Sequence, residues 1–511
     1  MDILINNAII YNPDEKKSFL GGVAIIGSRI AEVYSEHSVI PVDRFDRVID
    51  AKTRYLFPGF VDVHSRGDLA MVSENSRISA LSQGIVLEVV GQDGFSVAPI
   101  SAKNYMLHGE YVVSSLGNPQ LKWRWESVFE YLDMIHLKNG TNVLFYAPHG
   151  TMRLEASLNP KLSSTGLSAL KYSLEKAMDE GAIGMSMSVW QSPSKEGWED
   201  NVEMDALLSV LKKKNGILCI NLEDPANIRR DIDRAFTFAR NYGLRLHLSG
   251  LLIHNASEYM ELVSWLDKRK KEVPAFLLDV SPYNSRLIKL VDLLPEEYRP
   301  LSPEEVRIKL RDKSAVQDLF DYLNVHEQYL EKIRLVATSK RDLKKHENHL
   351  IDDIAKERGE SIHEVILNLL LFDIEKSVFE YEAVSPSVLK YVFEHEFVVP
   401  ATSGCIGGRY TPDVFGAITR YISHYSEKDS SKIVDKLSSY PSKFYGLKWG
   451  IKPGIKANLA MLDIDRAFSE ADFVNPRVTA DGTDYVIVNG KIIWEKGKVT
   501  GQRNGEVISW T

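Results

Sequence analysis

Residues 203–220, EMDALLSVLKKKNGILCI, change rhythm partway. Over 203–214 the apolar positions Met204, Leu207, Leu208 and Leu211 recur at helical spacing. From 217 the chain is a short unbroken apolar run, ILCI, the pattern of a strand buried on both faces. The runs 85–90 (IVLEVV), 143–147 (VLFYA), 244–248 (LRLHL) and 275–280 (AFLLDV) repeat the strand half, and 165–180 (TGLSALKYSLEKAMDE) repeats the helical half. Strand–helix alternation over 58–451 predicts a parallel α/β sheet, closed into a barrel or doubly wound.

Outward from this middle, the texture changes. The N-terminal runs 3–10 (ILINNAII), 23–26 (VAII) and 30–34 (IAEVY) are separated by glycine-containing turns. Near the other end, 485–488 (YVIV) and 492–494 (IIW) flank Asn489-Gly490, a strong hairpin signal. Residues 1–57 and 452–511 are therefore read as two parts of one small discontinuous β domain. Within the middle, 286–360 is charged and helical in pattern, and is read as a helical insertion.

Composition narrows the function classes. The net charge is −8 and the pI about 6.0, which speaks against nucleic acid as a partner. Neither a signal-peptide pattern nor an apolar run of membrane-spanning length occurs, so a cytoplasmic protein is expected. Two cysteines, Cys219 and Cys405, fit a reducing compartment. Seven glutamines against 62 basic and 70 acidic residues point to a thermophilic source.

Parallel-barrel proteins carry their chemistry where strands end. The residues to watch are then His64, Asp93, His149, Asn221, Gly250, Tyr283 and the 402–409 loop. Several stand in recognisable surroundings: Pro58-Gly59-Phe60-Val61-Asp62-Val63-His64, Gly91-Gln92-Asp93-Gly94, Pro148-His149-Gly150-Thr151, Glu180-Gly181-Ala182-Ile183-Gly184, Ser281-Pro282-Tyr283 and Lys452-Pro453-Gly454. In this order they resemble the N-acyl-D-amino-acid deacylases (D-aminoacylases) of the amidohydrolase superfamily. The resemblance implies a (β/α)₈ TIM-like barrel with a β-sandwich or small barrel built from both termini. It also implies zinc, which would lower the pKa of bound water from about 15.7 toward 7, and hydrolysis of linear amides.

The metal motifs depart from that family. Its His-x-His is His64-Ser65-Arg66 here, and its bridging position is Asp93. Two further histidine positions are Asn221 and Gly250, and the aspartate of the final motif is Gly404. The metal candidates are thus His64 and Asp93, short of the three protein ligands that catalytic zinc takes. By the same resemblance Tyr283 and Arg409 fall at substrate-binding positions. As catalytic candidates stand His64, Arg66, Glu223 and His149; each also has a structural reading, Arg66 as an ion pair with Asp68 or Asp93.

Three functions remain open at this point. The chain is a divergent family member without ordinary zinc-dependent deacylation, which binds a ligand or serves an intact paralogue as a structural subunit. Alternatively it hydrolyses N-acyl amino acids or related amides at an unusual metal site. The third option is metal-free chemistry on a small carboxylate. The partners expected are a small carboxylate-bearing molecule, a second copy of the chain or an active paralogue, with no nucleic acid and no membrane.

Overall fold

A computed structural model describes residues 1–511 except 13–14, 16, 118–120, 158, 160, 192, 223–226, 252–254, 299–300, 326–329, 403, 407–408 and 510–511. The expected alternation is a barrel. Its strands in chain order are Phe60–Asp62, Ile85–Val90, Asn142–Phe145 resumed as Ala147–Pro148, Gly184–Ser188, Ile217–Asn221, Arg245–Ser249, Phe276–Val280 and Val398–Pro400. All pair in parallel, the first with the second, the second with the third, and each later one with the next through to the eighth. Between the eighth and first strands a side chain closes the seam. The Thr402 backbone N–H and hydroxyl donate to the Asp62 carboxyl at 3.1 and 2.5 Å.

Local chemistry explains the alternation. The helix Asn201–Lys213 starts because the Asp200 carboxylate accepts from the Val202 N–H at 2.9 Å. It buries Met204, Leu207, Leu208 and Leu211, the residues that share its apolar face. The strand that follows lies so near its neighbour that a Cβ on Gly184 would stand 2.1 Å from the Ile217 carbonyl oxygen, which only glycine permits.

Strands from the two termini share one sheet, running from Lys498–Val499 through Lys491–Glu495, Thr483–Val488, Leu459–Leu462, Tyr55–Pro58 and Ile3–Asn12 to Lys17–Ile26 and Arg29–Ser35. The junction is Leu459–Leu462, antiparallel to Tyr55–Pro58, with Leu459 opposite Pro58. Asn489 and Gly490 both take positive φ, 48° and 82°, as a tight hairpin requires. The fold is thus an α/β TIM-like barrel with a small discontinuous β domain.

The segment between the seventh and eighth barrel strands is not purely helical. Its helices include Pro303–Lys309, Lys313–Val325, Ile351–Arg358 and Ile362–Asp373, but they accompany an antiparallel sheet of Ser285–Lys289, Val378–Glu382 and Arg334–Ala337. Short length hid these strands. Charged residues at their ends pair across the sheet, Arg334 with Glu380 at 3.5 Å, and so read as a solvated helix face. His346, within this segment, is buried.

Both cysteines are buried and unpaired. Among the described residues no helix is long and apolar enough to cross a membrane.

Candidate functional site

The C-terminal ends of the strands bring His64, Arg66, Asp93 and Asn221 into one buried cluster, together with Ser249 and Asp279. Asp93 hangs from the turn after the second strand. Gly91 and Gly94 take φ of 78°, and Asp93 itself takes 57°, a conformation that aspartate tolerates better than most residues. A Cβ on Gly91 would meet the Tyr146 carbonyl oxygen at 2.2 Å, so the turn can form only with glycine there.

His64 lies between two carboxylates. Its Nε2 is 3.2 Å from Asp93 Oδ2, and its Nδ1 is 3.2 Å from Asp279 Oδ2 and 2.6 Å from Ser249 Oγ. Arg66 donates from Nε to Asp93 Oδ2 at 2.5 Å, and Asn221 donates from Nδ2 to Asp93 Oδ1 at 2.6 Å. Asp279 also faces His247 Nε2 at 2.7 Å. Beyond His247, its Nδ1 is ringed by Tyr146, Tyr445 and Cys219 at 3.4 to 3.5 Å.

Electrostatics follow from these contacts. Burial works against charge on His64, yet Asp93 and Asp279 outweigh it and push its pKa up to about 10. Burial would raise both carboxylates; Arg66 and His64 hold Asp93 below the usual range, and His64 and His247 do so for Asp279. Two anions are matched by two cations.

Other candidate residues lie elsewhere. Tyr283 is buried and donates to the Ala471 carbonyl at 3.1 Å, with its ring edge-on to Phe473 and under the Arg420 guanidinium. Arg409 donates from Nη2 to the carbonyls of Phe473 and Val474 at 3.2 and 3.1 Å. Both side chains therefore anchor residues 471–474 of the C-terminal part, a segment that no local pattern around Tyr283 or Arg409 announces. His149 is fully buried; its Nδ1 is 3.0 Å from Ser194 Oγ and its Nε2 2.8 Å from Glu203, which also takes Arg153 Nε at 3.0 Å. Glu223 lies outside the described residues. Gly250, at φ 66°, follows Ser249 directly. Gly404 lines a small cavity with Arg66 and Thr402.

Sequence reading missed Asp279 and His247. Each sits inside an apolar run read as barrel strand. A charged residue within such a run, on the strand face turned to the barrel axis, was the available signal.

The donor set is a poor match to zinc. Among the described residues no group of three or more His, Cys, Asp or Glu is placed to hold a metal ion. Arg66 and the two glycines offer no lone pair of the kind zinc takes, and both ring nitrogens of His64 are committed to carboxylates.

No protein-family model matches the chain. It is 20% identical to D-aminoacylase of Alcaligenes xylosoxydans xylosoxydans, across 100% of this chain and 98% of that protein. To N-acyl-D-glutamate deacylase of the same organism it is 22% identical, over 95% of this chain and 92% of that one. In structure it is similar to N-acyl-D-glutamate deacylase from Bordetella bronchiseptica, solved with zinc and a phosphonate mimic of the tetrahedral intermediate. The TM-score is 0.78 at 19% identity, with 100% of both chains covered. A D-aminoacylase structure gives 0.77 at 19% identity over 99% of each chain. The chain thus resembles the D-aminoacylases of the amidohydrolase superfamily along its whole length.

Proposed function

We propose that this is an amidohydrolase-fold protein that does not perform zinc-dependent deacylation and whose barrel mouth instead receives a small carboxylate-bearing ligand. The observation that carries this reading is the Arg66 guanidinium seated on Asp93, with His64 bridging Asp93 and Asp279. Protein cations stand where a metal would be needed. A divalent ion entering beside Arg66 meets repulsion of about 4 kcal/mol per unit charge at 4 Å and an effective dielectric of 20. Without zinc, ionising water at neutral pH falls short by roughly nine pKa units, about 12 kcal/mol.

The test is metal content of the purified protein, measured together with turnover of N-acetyl-D-amino acids with and without added zinc. Well under one zinc per chain and no turnover are expected. Restoring Arg66→His, Asn221→His, Gly250→His and Gly404→Asp together is expected to recover zinc binding before activity, because outer-shell contacts are also altered. Stoichiometric zinc with chelator-sensitive turnover in the native protein overturns the reading.

A further inference from the structure

A second cavity lies where the barrel meets the β domain, and it measures about 380 Å³. On one side stand the strands Ile3–Asn12, Lys17–Ile26 and Arg29–Ser35, which contribute Tyr11, Phe19 and Val33. Residues 438–453 form the other side and contribute Ser438, Ser442 and Trp449. Ser438 and Trp449 are tied to Pro58 and Gly59, which lead into the first barrel strand, Phe60–Asp62. His64 and Arg66 follow that strand, so this cavity is at the opposite end of the barrel from the ion-paired centre. The cavity beside Arg66 measures about 20 Å³, room for one water.

The polar atoms of the wall are turned in one sense. The Ser438 hydroxyl donates toward the Pro58 and Gly59 carbonyls at 2.8 and 3.0 Å, and the Ser442 hydroxyl donates to the Ser439 carbonyl at 3.1 Å. A hydroxyl has one proton and two lone pairs, so a serine that has given its proton to a carbonyl remains an acceptor. Trp449 spends its indole N–H on the Gly59 carbonyl at 2.9 Å, which pins the ring in the wall. Phe19, Val33 and Trp449 are only partly buried, so apolar surface is left to cover. Ser438 lies in a π-helical turn, Asp435–Ser439, a rare geometry that recurs at functional sites. Among the described residues no carboxylate lines the cavity, and Lys452 is exposed at its rim.

We propose that this cavity binds a small neutral aromatic molecule carrying an N–H or O–H donor, of the class of indoles and phenols. Ligand sites have such volumes, prefer domain interfaces and combine apolar and aromatic walls with a few polar groups. Rings from three separate segments, Tyr11, Phe19 and Trp449, favour a ring among them, offset or edge-on. A charged ligand would lose its hydration against carbon and hydroxyl walls with no buried counter-charge in return. A hydrocarbon without a donor would leave the Ser438 and Ser442 oxygens covered and unpaired. The site goes beyond the reading of the barrel mouth and does not depend on it, because it shares no residue with the central cluster.

The experiment uses the full chain with indole, 1-methylindole and indole-3-acetate as probes, read by calorimetric titration and thermal shift. Indole is expected to bind and raise Tm. 1-Methylindole keeps the ring and lacks the donor, and a cavity of this size has room for its methyl group. It should bind about fivefold more weakly, the net worth of one hydrogen bond. Indole-3-acetate should also bind more weakly than indole. Ser438→Ala or Ser442→Ala should bring indole and 1-methylindole to the same affinity. Val33→Trp fills the cavity from the strand side; it should abolish binding of both and leave the unliganded Tm unchanged or higher. If Val33→Trp does not fold, the ratio of indole to 1-methylindole affinity and its loss in the serine variants decide. No binding of indole, equal affinity for indole and 1-methylindole in the native protein, or a ratio kept in both serine variants overturns the site. So does a preference for indole-3-acetate, or indole binding that survives Val33→Trp.

Discussion

Two buried clusters at the same end of the barrel use the same kinds of side chain to different ends. At the edge, His149 and Arg153 share the single carboxylate of Glu203, and Ser194 completes the shell. These residues lie within about one βα unit of each other in the chain, and the His149, Arg153 and Glu203 side chains are at most 1% exposed. At the centre, His64, Arg66, Asp93, Asn221, Ser249 and Asp279 arrive from the ends of five strands, and two carboxylates share two cations. The edge cluster closes on itself and joins neighbouring elements. The central one borders the small cavity that Arg66, Thr402 and Gly404 line. Residue type and motif match therefore say less about function than which way the cluster faces.

The largest effect is expected at the edge. Glu203→Gln removes the carboxylate that the buried Arg153 and His149 share, and breaking such a buried pair costs about 3–5 kcal/mol. Denaturant unfolding should show that loss, with ligand binding by the folded fraction unchanged. Arg66→Leu should cost less, about 2 kcal/mol, because Asp93 keeps His64 and Asn221 as partners. If Arg66→Leu proves the more costly, the centre is the structural cluster and the comparison is inverted.

Acid sharpens the contrast. Burial would raise the Glu203 carboxyl, but His149 and Arg153 hold it below its ordinary value. A depressed folded pKa contributes stability that is present above the unfolded value of about 4.3 and is lost as pH falls below it. The stability gap between the native protein and Glu203→Gln should accordingly hold from pH 7 to 5 and narrow below about pH 4. A gap unchanged to pH 3 would mean that the fold does not depress the Glu203 pKa and that its contacts with His149 and Arg153 add no charge-dependent stability.

Much of the architecture was legible because it rests on local pattern: helical apolar spacing in 203–214, buried runs such as 217–220, and Asn489-Gly490 at a hairpin. The short strands Ser285–Lys289 and Arg334–Ala337 were not, since their charges suit an exposed helix equally well. In the site, His64, Arg66, Asp93 and Asn221 were legible from their position after apolar runs. Asp279 and His247 were masked by the runs that contain them. Tyr283 and Arg409 look like ligand contacts in sequence because their actual partners, residues 471–474, lie more than sixty positions away and carry no pattern that points back.

Tyr283 offers the finest test of that distinction. Its hydroxyl donates one neutral hydrogen bond, to the Ala471 carbonyl, and also contacts the Ser469 side chain, while its ring keeps its contacts with Phe473 and Arg420 when the hydroxyl is removed. Tyr283→Phe should therefore cost about 1 kcal/mol, the net worth of such a bond. Urea unfolding will register it as a lower midpoint at constant slope. Affinity for N-acetylglycine should not change, because the hydroxyl points at backbone rather than into the mouth. A substrate-gripping tyrosine would behave in the opposite way, with stability kept and affinity reduced about tenfold for each 1.4 kcal/mol lost. The ratio of the two effects, rather than the size of either, decides whether the 471–474 segment or a ligand owns this side chain.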